Sequence, residues 1–106
     1  MKHKFNAVRT QRDGKKFPSK LEAKYYDQLK LRQKAGDVLF FLRQVPFDLA
    51  DKLKYLVDYM IFLSSGEIEF IDVKGMDTQV SLAKRKMVES LYPITIKLIT
   101  KQDLWS

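Results

Sequence analysis

Two apolar segments joined by a short turn, with ionic side chains set inside them, constrain this chain more than any other feature. Residues 55–63 and 67–74 are rich in branched and aromatic side chains and read as strands; Ser64, Ser65 and Gly66 supply the turn, and Gly75 ends the second strand. Side chains alternate between faces along a strand, so Leu56, Asp58, Met60 and Phe62 share one face. Ile68, Phe70, Asp72 and Lys74 share one face of the second strand. In an antiparallel hairpin those faces coincide, which brings Asp58 close to Asp72 and Lys74.

Such a placement is costly. Asp is depleted in strands, a buried carboxylate loses hydration, and two close carboxylates repel. An Asp58–Lys74 ion pair is one resolution, but buried pairs barely recover their desolvation. A divalent cation is the other, since hard cations take carboxylate and carbonyl oxygens. Lys74 would then orient a water or hold developing negative charge. Glu67 and Glu69 fall on the opposite face from Asp72 and read as solvent-side charges.

The rest of the chain supports one α/β domain of 106 residues, a common domain size. Asp13-Gly14 between extended segments signals a short basic β-hairpin or arm, carrying Lys2, Lys4, Arg9, Arg12, Lys15 and Lys16. His3 reads as a terminal residue without a metal role, and cysteine is absent, so thiol catalysis and Cys-type zinc sites are excluded. Ser19 to about residue 34 predicts a helix with a Leu21/Tyr25/Tyr26/Leu29 stripe, stopped at Gly36. Ser19 and Glu22 spell a capping box. Residues 38–49 read as a strand that Pro46 bends or puts at an edge. Within it Gln44 reads as a polar residue on a strand face, with reach to DNA or a metal-bound water as the rival role. Residues 79–91 read as a second helix with a core stripe of Val80, Ala83, Met87 and Leu91, capped by Asp77 or Thr78. Lys84, Arg85 and Lys86 cluster on it, either as a solvated face or as phosphate ligands. After Pro93, residues 94–99 give a last strand, reached by a helical crossover and so parallel to its neighbour. Trp105 reads as packing against the core or an interface.

Twenty basic against thirteen acidic side chains leave a net charge of +7, which favours a polyanionic partner, nucleic acid first. No apolar run approaches the roughly 20 residues of a membrane span, so a membrane role is not expected.

Val57-Asp58 followed by Asp72-Val73-Lys74 resembles the signature of the PD-(D/E)XK nuclease superfamily. With Phe17-Pro18-Ser19-Lys20-Leu21-Glu22-Ala23 upstream and Val73-Lys74-Gly75-Met76 downstream, residues 5–99 resemble a small phage and prophage family of that superfamily, one labelled a domain of unknown function. The resemblance implies a restriction-endonuclease-like fold: a mixed four-stranded sheet flanked by helices in the order αβββαβ. It implies a metal-dependent DNA endonuclease in which Asp58, Asp72, Lys74 and Glu22 are catalytic. Asp58, Asp72, Glu22 and the Val73 carbonyl would hold Mg²⁺, with Mn²⁺ as a substitute. Lys15, Lys16, Arg12, Lys84, Arg85 and Lys86 would bind DNA. By analogy the substrate is branched DNA such as a Holliday junction, cut by a homodimer in the cytoplasm, that of the host cell if the protein is phage-encoded. A non-cleaving nucleic-acid-binding module and a nicking or mismatch endonuclease are the alternatives.

Overall fold

A computed structural model describes residues 10–17 and 19–105, with the side chains of Thr10 and Trp105 left out. The expectations for Lys2, His3, Lys4, Arg9 and the Trp105 side chain therefore lie outside the described residues. A hairpin of β1 (Thr10–Arg12) and β2 (Lys15–Phe17) precedes α1 (Lys20–Ala35). Then come β3 (Val38–Asp48), a 3₁₀ turn (Ala50–Lys52), β4 (Lys54–Leu63), β5 (Ile68–Lys74), α2 (Gln79–Leu91), β6 (Ile96–Thr100) and the short α3 (Lys101–Trp105). The four-stranded sheet has the order β3-β4-β5-β6, antiparallel except for the parallel β5–β6 pair. This is an α/β fold on a mixed sheet, as the periodicities predict.

Local chemistry sets the boundaries. Asp13 and Gly14 adopt φ 50° and 76°, the left-handed pair a tight hairpin turn needs. Ser19 Oγ accepts the Glu22 N–H at 3.2 Å and caps α1, while Gly36, at φ 91°, closes it with bonds to the Arg32 and Gln33 carbonyls. Leu21, Tyr25, Tyr26 and Leu29 are buried as their spacing predicts. They pack with Phe17, Tyr59, Ile61, Ile71, Val73 and Ile99 in one core cluster under α1. A second cluster joins Tyr55 and Val57 to Val88 of α2 and Ile96 of β6.

Burial alternates along β4, but its buried side chains divide between the two clusters at one place. Tyr59 and Ile61 belong to the α1 cluster, whereas Tyr55 and Val57, of the same parity, belong to the other. The switch falls at Asp58. Opposite it Gln44 takes φ 53°, and the β3–β4 ladder skips that pair between Arg43↔Tyr59 and Val45↔Val57. A left-handed residue in an edge strand adds local twist, so the outer half of the hairpin turns across the sheet towards α2.

The expected stripe of α2 is corrected. Val80 is 64% and Leu91 54% exposed, Ala83 and Met87 are exposed too, and the buried positions are Arg85 and Val88. Val88 packs on Tyr55, Val57 and Ile96, and Arg85 is drawn inward onto Asp77. These two anchors rotate the helix away from the orientation that burying its most apolar face would produce. The cap is Thr78, whose Oγ1 accepts the Ser81 N–H at 3.1 Å. Among the described residues no helix is long and apolar enough to cross a membrane.

Candidate functional site

The site lies where the β4–β5 ladder opens. Tyr59↔Ile71 is the last backbone pair at that end, and one step on in the same register Asp58 stands opposite Asp72. There each carboxylate replaces a strand's backbone partner. Asp58 N–H donates to Asp72 Oδ1 at 3.0 Å, and Val73 N–H donates to Asp58 Oδ2 at 2.8 Å. Gln44 Nε2 donates to Asp58 Oδ1 at 3.3 Å, and the Tyr55 hydroxyl donates to Asp72 Oδ2. Asp72 is 1% exposed and Asp58 half-buried. Along an extended strand a residue's N–H and C=O leave by the same edge, so the Val73 carbonyl, like its N–H, is on the β4 side. The predicted meeting of Asp58 and Asp72 is therefore present.

Lys74, two residues beyond Asp72 on the same strand, forms no hydrogen bond or ion pair among the described residues. Its charge nevertheless acts on both Asp58 and Glu22. The Glu22 carboxylate does not turn back to close the capping box; Oε2 accepts instead from Arg43 Nη2 at 3.4 Å. Among the described residues no three His, Cys, Asp or Glu side chains are grouped so that they could share an ion, although the charge of Asp58 acts on Glu22. Glu22 is 6% exposed, and the Tyr59 hydroxyl donates to its carbonyl oxygen at 3.5 Å, which fixes the start of α1 on the sheet.

Residues 2–104 match the sequence model of one family. The chain belongs to DUF1064, a protein family of unknown function. No curated protein and no solved structure matches it. What the acids of this DUF1064 protein can do must therefore be argued from their surroundings.

Those surroundings oppose ionisation. Burial raises the Asp58 pKa, and Asp72 adds to the rise against the Val73 N–H, Lys74 and Gln44. Burial also raises that of Glu22, helped by the charge of Asp58 and opposed by Arg43 and Lys74. Burial and the bond to Asp72 raise the Tyr55 hydroxyl's, so it stays a donor. An acid whose folded pKa is raised adds stability below its unfolded value of about 4 and loses it as pH climbs through the folded value. The metal-free Asp58→Asn variant should therefore melt higher than the parent near neutral pH, by roughly 2–8 °C, with the gap closing towards about pH 4. Melting curves across that range check this; a variant that melts lower throughout would show that the ionised carboxylate stabilises the fold.

The donors at the site are hard. Two carboxylates and the Val73 carbonyl offer only oxygen, and each carboxylate oxygen keeps a second lone pair beside the bond it already accepts. Mg²⁺ takes one or two carboxylates and retains waters, so this set suits it without Glu22. Mn²⁺ accepts the same oxygen donors.

The basic candidates divide. Lys15, Lys16, Lys84 and Lys86 are exposed and have no hydrogen bond or ion pair from their side chains among the described residues. Arg12 is partly engaged, its Nε 3.0 Å from both oxygens of Asp27. Arg85 leaves the set: it is 6% exposed and holds Asp77 through both terminal nitrogens, at 2.9 and 2.6 Å, which keeps the Asp77 carboxyl below the usual carboxylate range. Arg85→Gln should lower the melting temperature by several degrees and leave oligonucleotide affinity within about twofold. Lys84→Gln with Lys86→Gln should do the reverse, as melting and anisotropy measurements on both variants will show.

Sequence reasoning missed Tyr55 and Arg43. Tyr55 reads only as an apolar strand residue, and no local signal announces the twist at Gln44 that accompanies its contact with Asp72. Arg43 was visible as a cation inside an apolar strand. It stacks 4.1 Å above the Phe17 ring and 5.9 Å from that of Tyr59.

Proposed function

We propose that this protein is a metal-dependent DNA endonuclease of the PD-(D/E)XK type, with the restriction-endonuclease-like fold that its mixed sheet and helix order allow. One observation carries the reading: two aspartates on neighbouring strands meet where the ladder opens, with an unpaired lysine two residues along from the second. A basic protein that keeps two acids together beside a free lysine is equipped to approach a phosphate through a cation.

Asp58, Asp72 and the Val73 carbonyl would hold Mg²⁺. Bound there, Mg²⁺ would acidify water and neutralise charge on the scissile phosphate. The Tyr55 hydroxyl fixes the rotamer of Asp72, and Gln44 with the Val73 N–H fixes that of Asp58, so the acids are oriented before substrate arrives. Lys74 holds the attacking water or the negative charge gathering on the phosphoryl oxygens. Water adds to phosphorus, the bond to the leaving oxygen breaks, and that oxygen takes a proton. Glu22 and Arg43 border the site as an ion pair.

The substrate we propose is branched DNA, cut by a two-fold dimer in the cytoplasm. The charge of +7 supports the polyanion, and the exposed α2 stripe of Val80, Met87 and Leu91 offers an apolar surface for a second copy. The test is a labelled four-way junction, a flap and a linear duplex, each incubated with Mg²⁺ or EDTA. Metal-dependent cutting of the branched substrates supports the reading. Single-strand cuts in the linear duplex point to a nicking enzyme. One observation favours a binding module: every carboxylate oxygen of the pair already accepts one bond from the protein itself. Binding of all substrates with no cut would establish that module.

Metal occupancy has a readout of its own. Mg²⁺ at about 100 times its dissociation constant should add about 2.7 kcal/mol of stability. Calorimetry should show that gain for the parent and none for Asp58→Asn; equal gains would place the ion elsewhere.

A further inference from the structure

A second feature lies beside the acids. Between the β1–β2 hairpin, α1 and β3 is a cavity of about 320 Å³ whose charged lining is all cationic: Lys15, Lys30 and Arg43. Neither lysine has a hydrogen bond or ion pair among the described residues. Arg43 stacks on Phe17 and makes the long 3.4 Å contact with Glu22, but its buried Nε has no acceptor among the described residues. A buried donor left unpaired costs about 1–3 kcal/mol, and the three cations line one concavity, so a bound anion would be stabilised there. Aromatic surface accompanies the charge. Phe40 lines the same cavity, is 46% exposed and stacks on Phe62 at 4.2 Å, leaving its other face open. Tyr26 also lines it, but its hydroxyl is taken by Asp13 at 2.8 Å.

We propose that this cleft is a binding site for the phosphodiester backbone of a nucleic-acid strand, with Lys15, Lys30 and Arg43 on a phosphate and Phe40 as a stacking platform for an adjacent base. Cations with an open ring beside them fit an unpaired or splayed nucleotide better than a free anion. Position links the cleft to the acids: Arg43 lines it, and the next residue, Gln44, reaches Asp58. The strand that enters the cleft is thereby led to the acid pair. The inference rests on the nuclease reading for the identity of the strand, but not for the existence of the anion site.

The test uses fluorescein-labelled single-stranded and branched oligonucleotides in EDTA, with anisotropy read across a salt series. Lys15→Gln with Lys30→Gln should weaken binding roughly 25-fold at 0.15 M salt, about fivefold per lysine, and flatten the salt dependence by about two units of slope. The control is Lys97→Gln with Lys101→Gln, which removes the same charge at the other end of the sheet and should change affinity by less than about threefold. Equal losses from the two pairs, or none from the first, overturn the cleft and leave the nuclease reading standing. Inorganic phosphate is the second probe, followed through backbone amide shifts. Shifts confined to the cleft, and absent from the Lys15→Gln/Lys30→Gln variant, support the anion site even if no oligonucleotide binds, in which case the nuclease reading falls alone. If no oligonucleotide binds and phosphate leaves the cleft unshifted, both ideas fall.

Discussion

Asp58→Asn and Asp72→Asn should each reduce Mg²⁺-dependent cleavage of a four-way junction at least about 10³-fold, and Lys74→Ala about 10²- to 10³-fold, with junction affinity in EDTA kept within a few-fold. The amide is nearly isosteric with the carboxylate and can still accept the Val73 or Asp58 N–H, so the strands stay stitched. What it loses is the charge that a cation needs. The Lys74 amine makes no hydrogen bond or ion pair among the described residues, so removing it should disturb the fold little and isolate its part in the reaction. Glu22→Gln sorts with neither group. The carboxylate faces Arg43 rather than a shared acid cluster, so its loss should lower cleavage far less than loss of either aspartate. Equal losses from Glu22→Gln and Asp58→Asn would mean that α1 supplies a ligand. Unchanged rates in both aspartate variants would reduce the pair to a structural clasp.

The largest effect on stability should come from Tyr59→Ala, at about 3–5 kcal/mol and at least about 12 °C in melting temperature. Tyr59 is fully buried at the centre of β4. It meets the rings of Tyr25 at 5.3 Å and Phe41 at 5.8 Å, both edge-on, and its hydroxyl bonds the Glu22 carbonyl. One side chain thus ties α1 to the sheet beside the acid pair. The truncation opens a cavity, strips the support from under Arg43 and removes a second donor from the Glu22 carbonyl. Tyr59→Phe removes the hydroxyl alone and should cost about 1 kcal/mol. Chemical denaturation of both variants separates packing from the hydrogen bond. If Tyr59→Ala costs no more than Tyr59→Phe, the ring is not the anchor.

Much of this arrangement was legible in the residues themselves. The opposition of Asp58 and Asp72 follows from the pairing register: two residues of strand on either side of a fixed turn pair at predictable positions, and the acids sit at matching distances from it. The Asp13-Gly14 turn, the Ser19 cap, the Gly36 stop and the parallel last strand are equally local, because each depends on the conformational preference of a few neighbouring residues or on the length of a crossover.

The remaining features depend on contacts between segments distant in sequence. Gln44 adopts a left-handed conformation that no local preference requires, and beyond that twist Tyr55 reaches Asp72. The pull of Arg85 on Asp77, together with the seat of Val88 between two strands, turns α2 until its most apolar stripe faces outward. Glu22 could cap or ligate on local grounds, and the approach of Arg43 from β3, which no local pattern announces, draws its carboxylate away from the cap. Register and caps are short-range, so a reader of the chain can find them. Which face a helix buries, and which partner a buried charge accepts, are settled by desolvation summed over the assembled core, where a few kcal/mol from a distant residue outweigh the pattern along the chain.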